Sequence, residues 1–229
     1  MRMRLDKYLS EAGVAGRREL KTIIRAGRVA VDGTVICSPE TKVESDTALV
    51  TLDGKDVRLR GRVVLMLHKP AGYVTSTEDP RDRTVMELLP AEYRDLFPVG
   101  RLDKETEGLL LFTNDGDLGH RLTAPKHRVE KEYYAETEGQ TDASDAEAFA
   151  AGLELRDGTK CLPAILRPTG KGCHVVVREG KYHQVRRMLA SRGKPVTYLR
   201  RIREGNLTLG DLEIGQWRIL TPEEIGNLL

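Results

Sequence analysis

The segment from Gly100 to Gly116 constrains this chain more than any other. A polar, charged stretch, Gly-Arg-Leu-Asp-Lys-Glu-Thr-Glu-Gly, runs directly into the apolar residues Leu109 to Phe112 and stops at Thr113-Asn114-Asp115-Gly116. A short apolar run bounded by turn residues predicts a buried strand. Asn114 and Asp115 can accept bonds from nearby backbone and Gly116 tolerates positive φ, so a turn is expected after it. Asp103 is thereby held in a loop at the edge of a core. Arg101 and Lys104 flank it, and their Coulomb attraction favours the carboxylate. By spacing alone, Asp103 reads first as a surface ion-pair or turn residue and only second as a catalytic carboxylate.

Charge is distributed unevenly. Residues 1–28 hold 8 Lys/Arg against 3 Asp/Glu, and residues 178–203 hold 9 against 1. These segments carry +5 and +8, so the remainder carries −11 against a total of only +2. Two basic segments on an otherwise acidic chain suit two surfaces meeting one phosphate backbone, although ordinary solvated helix faces would show the same pattern. Cys37, Cys161 and Cys173 are dispersed without a Cys-x-x-Cys pair, which argues against a disulfide framework or a zinc site and predicts buried, reduced thiols. No phosphate-cradling loop, His-Glu-x-x-His or dinucleotide glycine fingerprint occurs, so no cofactor and no metal are expected. No apolar run approaches a membrane span and the first residues lack a signal-peptide core, so a cytoplasmic protein is expected, with a monomer as the default.

In chain order, Leu5, Tyr8, Leu9 and Ala12 share one helical face, with Gly13 as a stop. A second helix over Arg17 to Ala26 turns Leu20, Ile23 and Ile24 inward and leaves Arg17, Arg18, Lys21 and Arg25 outward. Asp32-Gly33 predicts a hairpin and Asp53-Gly54 a further turn between strands. Residues 56–62 read as a linker. A new core starts at Val63 to Leu67 and breaks at His68-Lys69-Pro70-Ala71-Gly72. Short helices are expected at Val85 to Leu89 and Leu118 to Leu122, and a longer one at Asp142 to Gly152. Strands are expected at Glu154 to Leu166 and His174 to Val177. A basic helix should open near Gln184, and residues 195–203 should form a strand or loop.

Several of these stretches carry a family resemblance. Gly100-Arg101-Leu102-Asp103 with Thr106, Gly108, Leu109, Leu110 and Asn114-Asp115-Gly116 resembles the catalytic motif of pseudouridine synthases, most closely the RsuA type. Residues 5–33, with Leu5-Asp6-Lys7, Arg17-Arg18-Glu19 and Gly27 to Gly33, resemble the S4 RNA-binding domain, with Gly16 where that domain commonly has a helix-capping Ser. His68-Lys69-Pro70-Ala71-Gly72 resembles a family segment usually starting with Asn. Lys131-Glu132-Tyr133 resembles the Lys-x-Tyr motif, and Glu179 to Leu189 the third motif.

The resemblance implies an α+β protein. An S4-like (alpha-L) domain is expected at 1–60, and a mixed α/β catalytic domain with a largely antiparallel sheet at 61–229. It implies an isomerase that converts one uridine of small-subunit (16S) ribosomal RNA to pseudouridine. Asp103 would be the essential carboxylate, Tyr133 the base-stacking residue and Arg186 the partner of Asp103, since an arginine fork can hold a carboxylate bidentately. RNA contacts are expected from Arg17, Arg18, Lys21, Arg25, Arg101, Lys181, His183 and Arg187. Whether Asp103 attacks covalently or removes a sugar proton stays open. So do two other functions: a synthase acting on large-subunit (23S) rRNA, and a non-catalytic S4 RNA-binding or ribosome-assembly factor.

Overall fold

The computed structural model describes residues 2–59 and 61–228, apart from the side chain of Arg17. Two compact units result, Met1–Val63 and Val64–Leu229. In the first, β1 (Arg2–Arg4) leads into α1 (Leu5–Glu11) and α2 (Arg17–Arg25). Then come β2 (Val29–Val31), β3 (Thr34–Val35), β4 (Lys42–Glu44), β5 (Val50–Leu52) and β6 (Lys55–Val57). The hairpins at Asp32-Gly33 and Asp53-Gly54 form as expected, giving a sheet of order β3-β2-β5-β6. Both aspartates take left-handed φ of 49°, the backbone such turns require. Leu5, Leu9, Leu20 and Ile24 are fully buried, and the Tyr8 hydroxyl donates to the Val57 carbonyl at 3.1 Å, tying α1 to the sheet. Val57 is thus paired strand rather than linker. Cys37 is exposed, unlike the buried Cys161 and Cys173, because it follows the edge strand β3.

The second unit runs β7 (Val64–Lys69), β8 (Phe97–Val99), β9 (Glu107–Thr113), α3 (Gly116–Thr123), β10 (Lys131–Thr137) and α4 (Ala143–Ala151). It continues through β11 (Ile165–Pro168), β12 (Gly172–Val177), α5 (Gln184–Ser191), β13 (Val196–Glu204), β14 (Leu207–Thr208), β15 (Trp217–Ile219) and α6 (Pro222–Gly226). Its sheet has the order β11-β12-β10-β13-β9-β7-β15, with β8 added to β9 and β14 to β13. Every pairing is antiparallel except that of β9 with β13.

Local chemistry explains the boundaries. Asp115, expected in a simple turn, accepts from the amides of Asp117 and Leu118 at 3.0 Å and so starts α3. Asp142 does the same for α4, and Thr221 for α6. The expected helix at Val85 to Leu89 is a single 3-10 turn over Val85–Leu88. Most of the strand expected at Glu154 to Leu166 is absent: Glu154 makes only an isolated bridge to Lys160, and the strand starts at Ile165. Asp157-Gly158 turns the chain there, with Gly158 at φ 79°.

The parallel junction of β9 and β13 decides where a site can form. It joins only two residue pairs, Arg200 with Glu107 and Arg201 with Gly108. Gly108 has φ 112°, and a Cβ there would lie 2.1 Å from the Arg201 carbonyl oxygen, so only glycine permits the approach. One buried cluster, including Phe149, Val175, Val185, Met188 and Leu199, packs the β10-β12 half. Another, including Val64, Met66, Leu109, Leu118 and Leu122, packs the β7-β9 half.

Candidate active site

A cavity of about 430 Å³ opens between these two clusters, with Leu122 from one and Val177, Val185 and Leu199 from the other in its wall. Asp103 projects into it from the loop between β8 and β9. That loop is held by a lysine of the His68-Lys69-Pro70-Ala71-Gly72 segment. Lys69, the last residue of β7, is fully buried, and its Nζ donates to the carbonyls of Pro70 at 2.9 Å, Asp103 at 3.2 Å, Lys104 at 3.1 Å and Thr106 at 2.8 Å. Burial pushes the ammonium down to about 8, against the opposing charges of Glu105, Glu107 and Asp103. Thr75 adds a second clamp: its Oγ1 donates to the Leu102 carbonyl at 2.7 Å and accepts from the Leu102 amide at 3.1 Å. The Asp103 backbone is therefore pinned from both sides while its side chain stays about one-third exposed.

The charged neighbours of Asp103 differ from expectation. Lys104 turns away to Asp82, at 2.6 Å. His183 Nε2 instead lies 3.5 Å from Asp103 Oδ1. Arg186 does not pair with Asp103: its Nη2 donates to the Glu105 carbonyl at 3.1 Å, and its Nη1 lies 3.5 Å from the Val196 carbonyl. The helix geometry is the reason. α5 begins at Gln184, so His183 and Gln184 occupy its cavity end, while Val185, Met188 and Leu189 face the core and Arg186 is carried round toward the neighbouring backbone.

Tyr133 enters the same cavity from β10. A bulge brings it there. Glu132 pairs with Arg203 but Tyr133 with Arg201, so one extra residue of β13 is absorbed at that point. Burial raises the Tyr133 hydroxyl above its ordinary value, with Arg201 acting the other way. Arg201 is fully buried, its Nε donating to the Leu109 carbonyl at 2.8 Å and its Nη2 lying 3.3 Å from Glu204 Oε2. Lys131 Nζ lies 3.5 Å from the other Glu204 oxygen. Burial acts to lower the Arg201 guanidinium, and Glu204 with Tyr133 more than restores it; burial lowers Lys131. Two cations and one carboxylate leave this buried triad net positive beside the carboxylate of Asp103.

Of the expected site residues, Arg101, Asp103, Tyr133, Lys181 and His183 line this one cavity. Lys181 contacts the Lys160 carbonyl and pairs with Glu179 at 2.8 Å. Arg187 stays outside, bonded to Asp157 at 2.5 Å. Arg18, Lys21 and Arg25 are exposed along α2 of the first unit, and the Arg17 side chain lies outside the described residues. Lys69, Arg201, Glu204 and Lys131 were missed as site residues. Lys69 and Lys131 lie inside the family-like motifs and Arg201 inside the second basic segment, but the loop partners of Lys69 lie at residues 103–106 and that of Lys131 at Glu204, too far along the chain for a local pattern to record. Among the described residues, no group of three or more His, Cys, Asp or Glu side chains is placed to hold a metal ion, and no helix is long and apolar enough to cross a membrane.

Comparison with known proteins bears on this arrangement. Residues 63–191 match the model of the RNA pseudouridylate synthase family and residues 3–49 that of the S4 domain. The ribosomal small subunit pseudouridine synthase A of Vibrio cholerae is 41% identical over 230 residues, covering 99% of each chain. The uncharacterized RNA pseudouridine synthase YtzG of Bacillus subtilis is 41% identical, covering 97% of each. A crystal structure of a pseudouridylate synthase superposes with a TM-score of 0.72 at 31% identity, covering 99% of this chain and 100% of that one. With its motifs, sheet and relatives in agreement, the chain belongs to the RNA pseudouridylate synthase family and carries an N-terminal S4 domain.

Proposed function

We propose that this protein isomerises one uridine of small-subunit ribosomal RNA to pseudouridine in the cytoplasm, with Asp103 as the catalytic carboxylate. The observation that carries the reading is a carboxylate on a doubly clamped loop, facing Tyr133 across a cavity backed by buried positive charge. The small-subunit substrate is supported by relatives that span nearly the whole chain and are named ribosomal small subunit pseudouridine synthase A. The proposed division of labour sets residues 1–60 to bind RNA and residues 61–229 to catalyse.

The reaction breaks the N1–C1′ bond, turns the base and joins C5 to C1′; the C5 proton leaves and N1 gains one, so no oxidant or group donor is consumed. A uridine stacked in RNA cannot reach a loop carboxylate and must be flipped out, at a cost of a few kcal/mol. Stacking on Tyr133 offsets about 1–3 kcal/mol of that cost. Arg18, Lys21 and Arg25, with Arg17, hold phosphates from the S4 domain, and Arg101, Lys181, His183 and Arg187 do so around the cavity. Arg186 acts indirectly by holding the Glu105 carbonyl of the catalytic loop.

The test is pseudouridine mapping in small-subunit rRNA from cells lacking the protein, complemented with wild type or Asp103→Asn. The expected result is one lost site restored by wild type alone, with RNA affinity of the variant preserved. Restoration by Asp103→Asn would overturn the catalytic assignment, and a lost site in large-subunit rRNA would overturn the substrate.

A further inference from the structure

Tyr182 is 71% exposed, more than any other large hydrophobic side chain among the described residues. Its ring lies flat on the His183 imidazole, with centroids 3.9 Å apart and planes 16° from parallel. Both line the cavity that holds Asp103, and His183 is the residue 3.5 Å from its carboxylate. The pair is not loosely placed. His183 has left-handed backbone at φ 47°, ψ 36°, a conformation a non-glycine residue keeps only when its surroundings impose it. Three bonds impose it: the Lys181 amide to Gln184 Oε1 at 2.9 Å, the Arg187 amide to the His183 carbonyl at 2.9 Å, and Arg187 Nη1 to the Tyr182 carbonyl at 3.3 Å.

One face of the Tyr182 ring is covered by imidazole and the other is open to solvent, at the rim of a cavity also lined by the cations Arg101 and Lys181. An open aromatic face next to positive charge suits a nucleobase on a phosphate backbone. Drawing one uridine out of a strand also leaves its neighbour with an unstacked face. We propose that Tyr182 stacks on the nucleobase adjacent to the flipped uridine and selects the substrate by that flanking nucleotide. This rests on the reading of the cavity as a uridine pocket. Tyr133 holds the reacting base and Tyr182 the one beside it, with purines preferred there for their larger π face.

The test uses the RNA modified by the wild-type protein, with Tyr182→Ala, Tyr182→Phe and Tyr182→Leu. Tyr182→Ala and Tyr182→Leu should raise KM about tenfold with kcat within twofold, a loss of the size one stacked base contributes. Tyr182→Phe should match wild type. An abasic site beside the target uridine should cost wild type the same tenfold and cost Tyr182→Ala nothing further. An unchanged KM in Tyr182→Ala and Tyr182→Leu, or penalties that multiply, would overturn the stacking role while leaving the uridine pocket standing. A wild-type protein that forms no pseudouridine in any RNA would overturn the pocket itself, and this inference with it.

Discussion

Lys69 Nζ donates to the backbone carbonyl of Asp103 at 3.2 Å, and to three further carbonyls of the same neighbourhood. A fully buried ammonium thus sets the position of the Asp103 loop through its backbone and leaves the carboxylate facing the cavity.

Replacing Lys69 by Met keeps the volume and removes the donors. Leaving buried carbonyls without partners should cost on the order of 3 kcal/mol and displace the loop. Thermal unfolding should fall by several degrees and kcat by at least about a hundredfold, as expected for a reacting group moved by an ångström. RNA affinity should change little. A variant with wild-type kcat would show that Thr75 alone holds the loop.

Lys69 also predicts how stability depends on pH. Its folded value of about 8 lies below the ordinary 10.5, so between these values the unfolded chain binds more protons. Its contribution to stability should therefore rise with pH across that window, by at most about 1.4 kcal/mol per pH unit, and be flat below it. Activity should move the opposite way, because the neutral amine has fewer protons to donate to four carbonyls. Denaturant titrations of wild type and Lys69→Met from pH 7 to 10 test this; equal slopes would rule out the assignment.

Gly108→Ala should be among the most damaging single substitutions. The added Cβ meets the Arg201 carbonyl at 2.1 Å and the Arg201 amide nitrogen at 2.6 Å, at a φ that alanine disfavours. A loss of on the order of 3 kcal/mol or more is expected, read as insolubility or a lowered denaturation midpoint.

Glu204→Gln leaves Lys131 and Arg201 buried with no carboxylate between them. Breaking such a network from one side costs about 3–5 kcal/mol. Adding Lys131→Met should recover part of that loss, because it removes one of the two stranded cations. Additive penalties in the double variant would contradict the coupling inferred from the 3.5 and 3.3 Å separations.

The α2 cations should act on binding alone. Replacing Arg18, Lys21 and Arg25 with Ala should raise KM for rRNA with little change in kcat. The slope of log affinity against log salt should fall by about 2 to 3. An unchanged slope would remove these residues from the RNA interface.

Much of the architecture was legible because it is written locally. Asp32-Gly33 and Asp53-Gly54 specify hairpins from four residues each, and the Leu20-Ile23-Ile24 spacing specifies one face of α2. Local reading failed where neighbours override propensity. The stretch from Glu154 to Ala164 folds back on itself at Asp157-Gly158 with a single bridge, Glu154 to Lys160, and Asp115 caps a helix because Leu118 and Leu122 have a core to enter.

By itself, the sequence determined the two-part organisation, the ordered motifs around Asp103 and Tyr133, and the basic face of α2, all properties of residues near one another in the chain. Only the tertiary structure decided which charges meet. Asp103 faces His183 rather than Arg186, Lys69 clamps the loop, and Lys131, Glu204 and Arg201 form one buried triad beside Tyr133. These contacts depend on helix phase, the bulge at Glu132-Tyr133 in β10-β13 pairing and a glycine-only approach between β9 and β13. A shift of one residue in any of them would turn a different side chain into the cavity, and no local pattern records that choice.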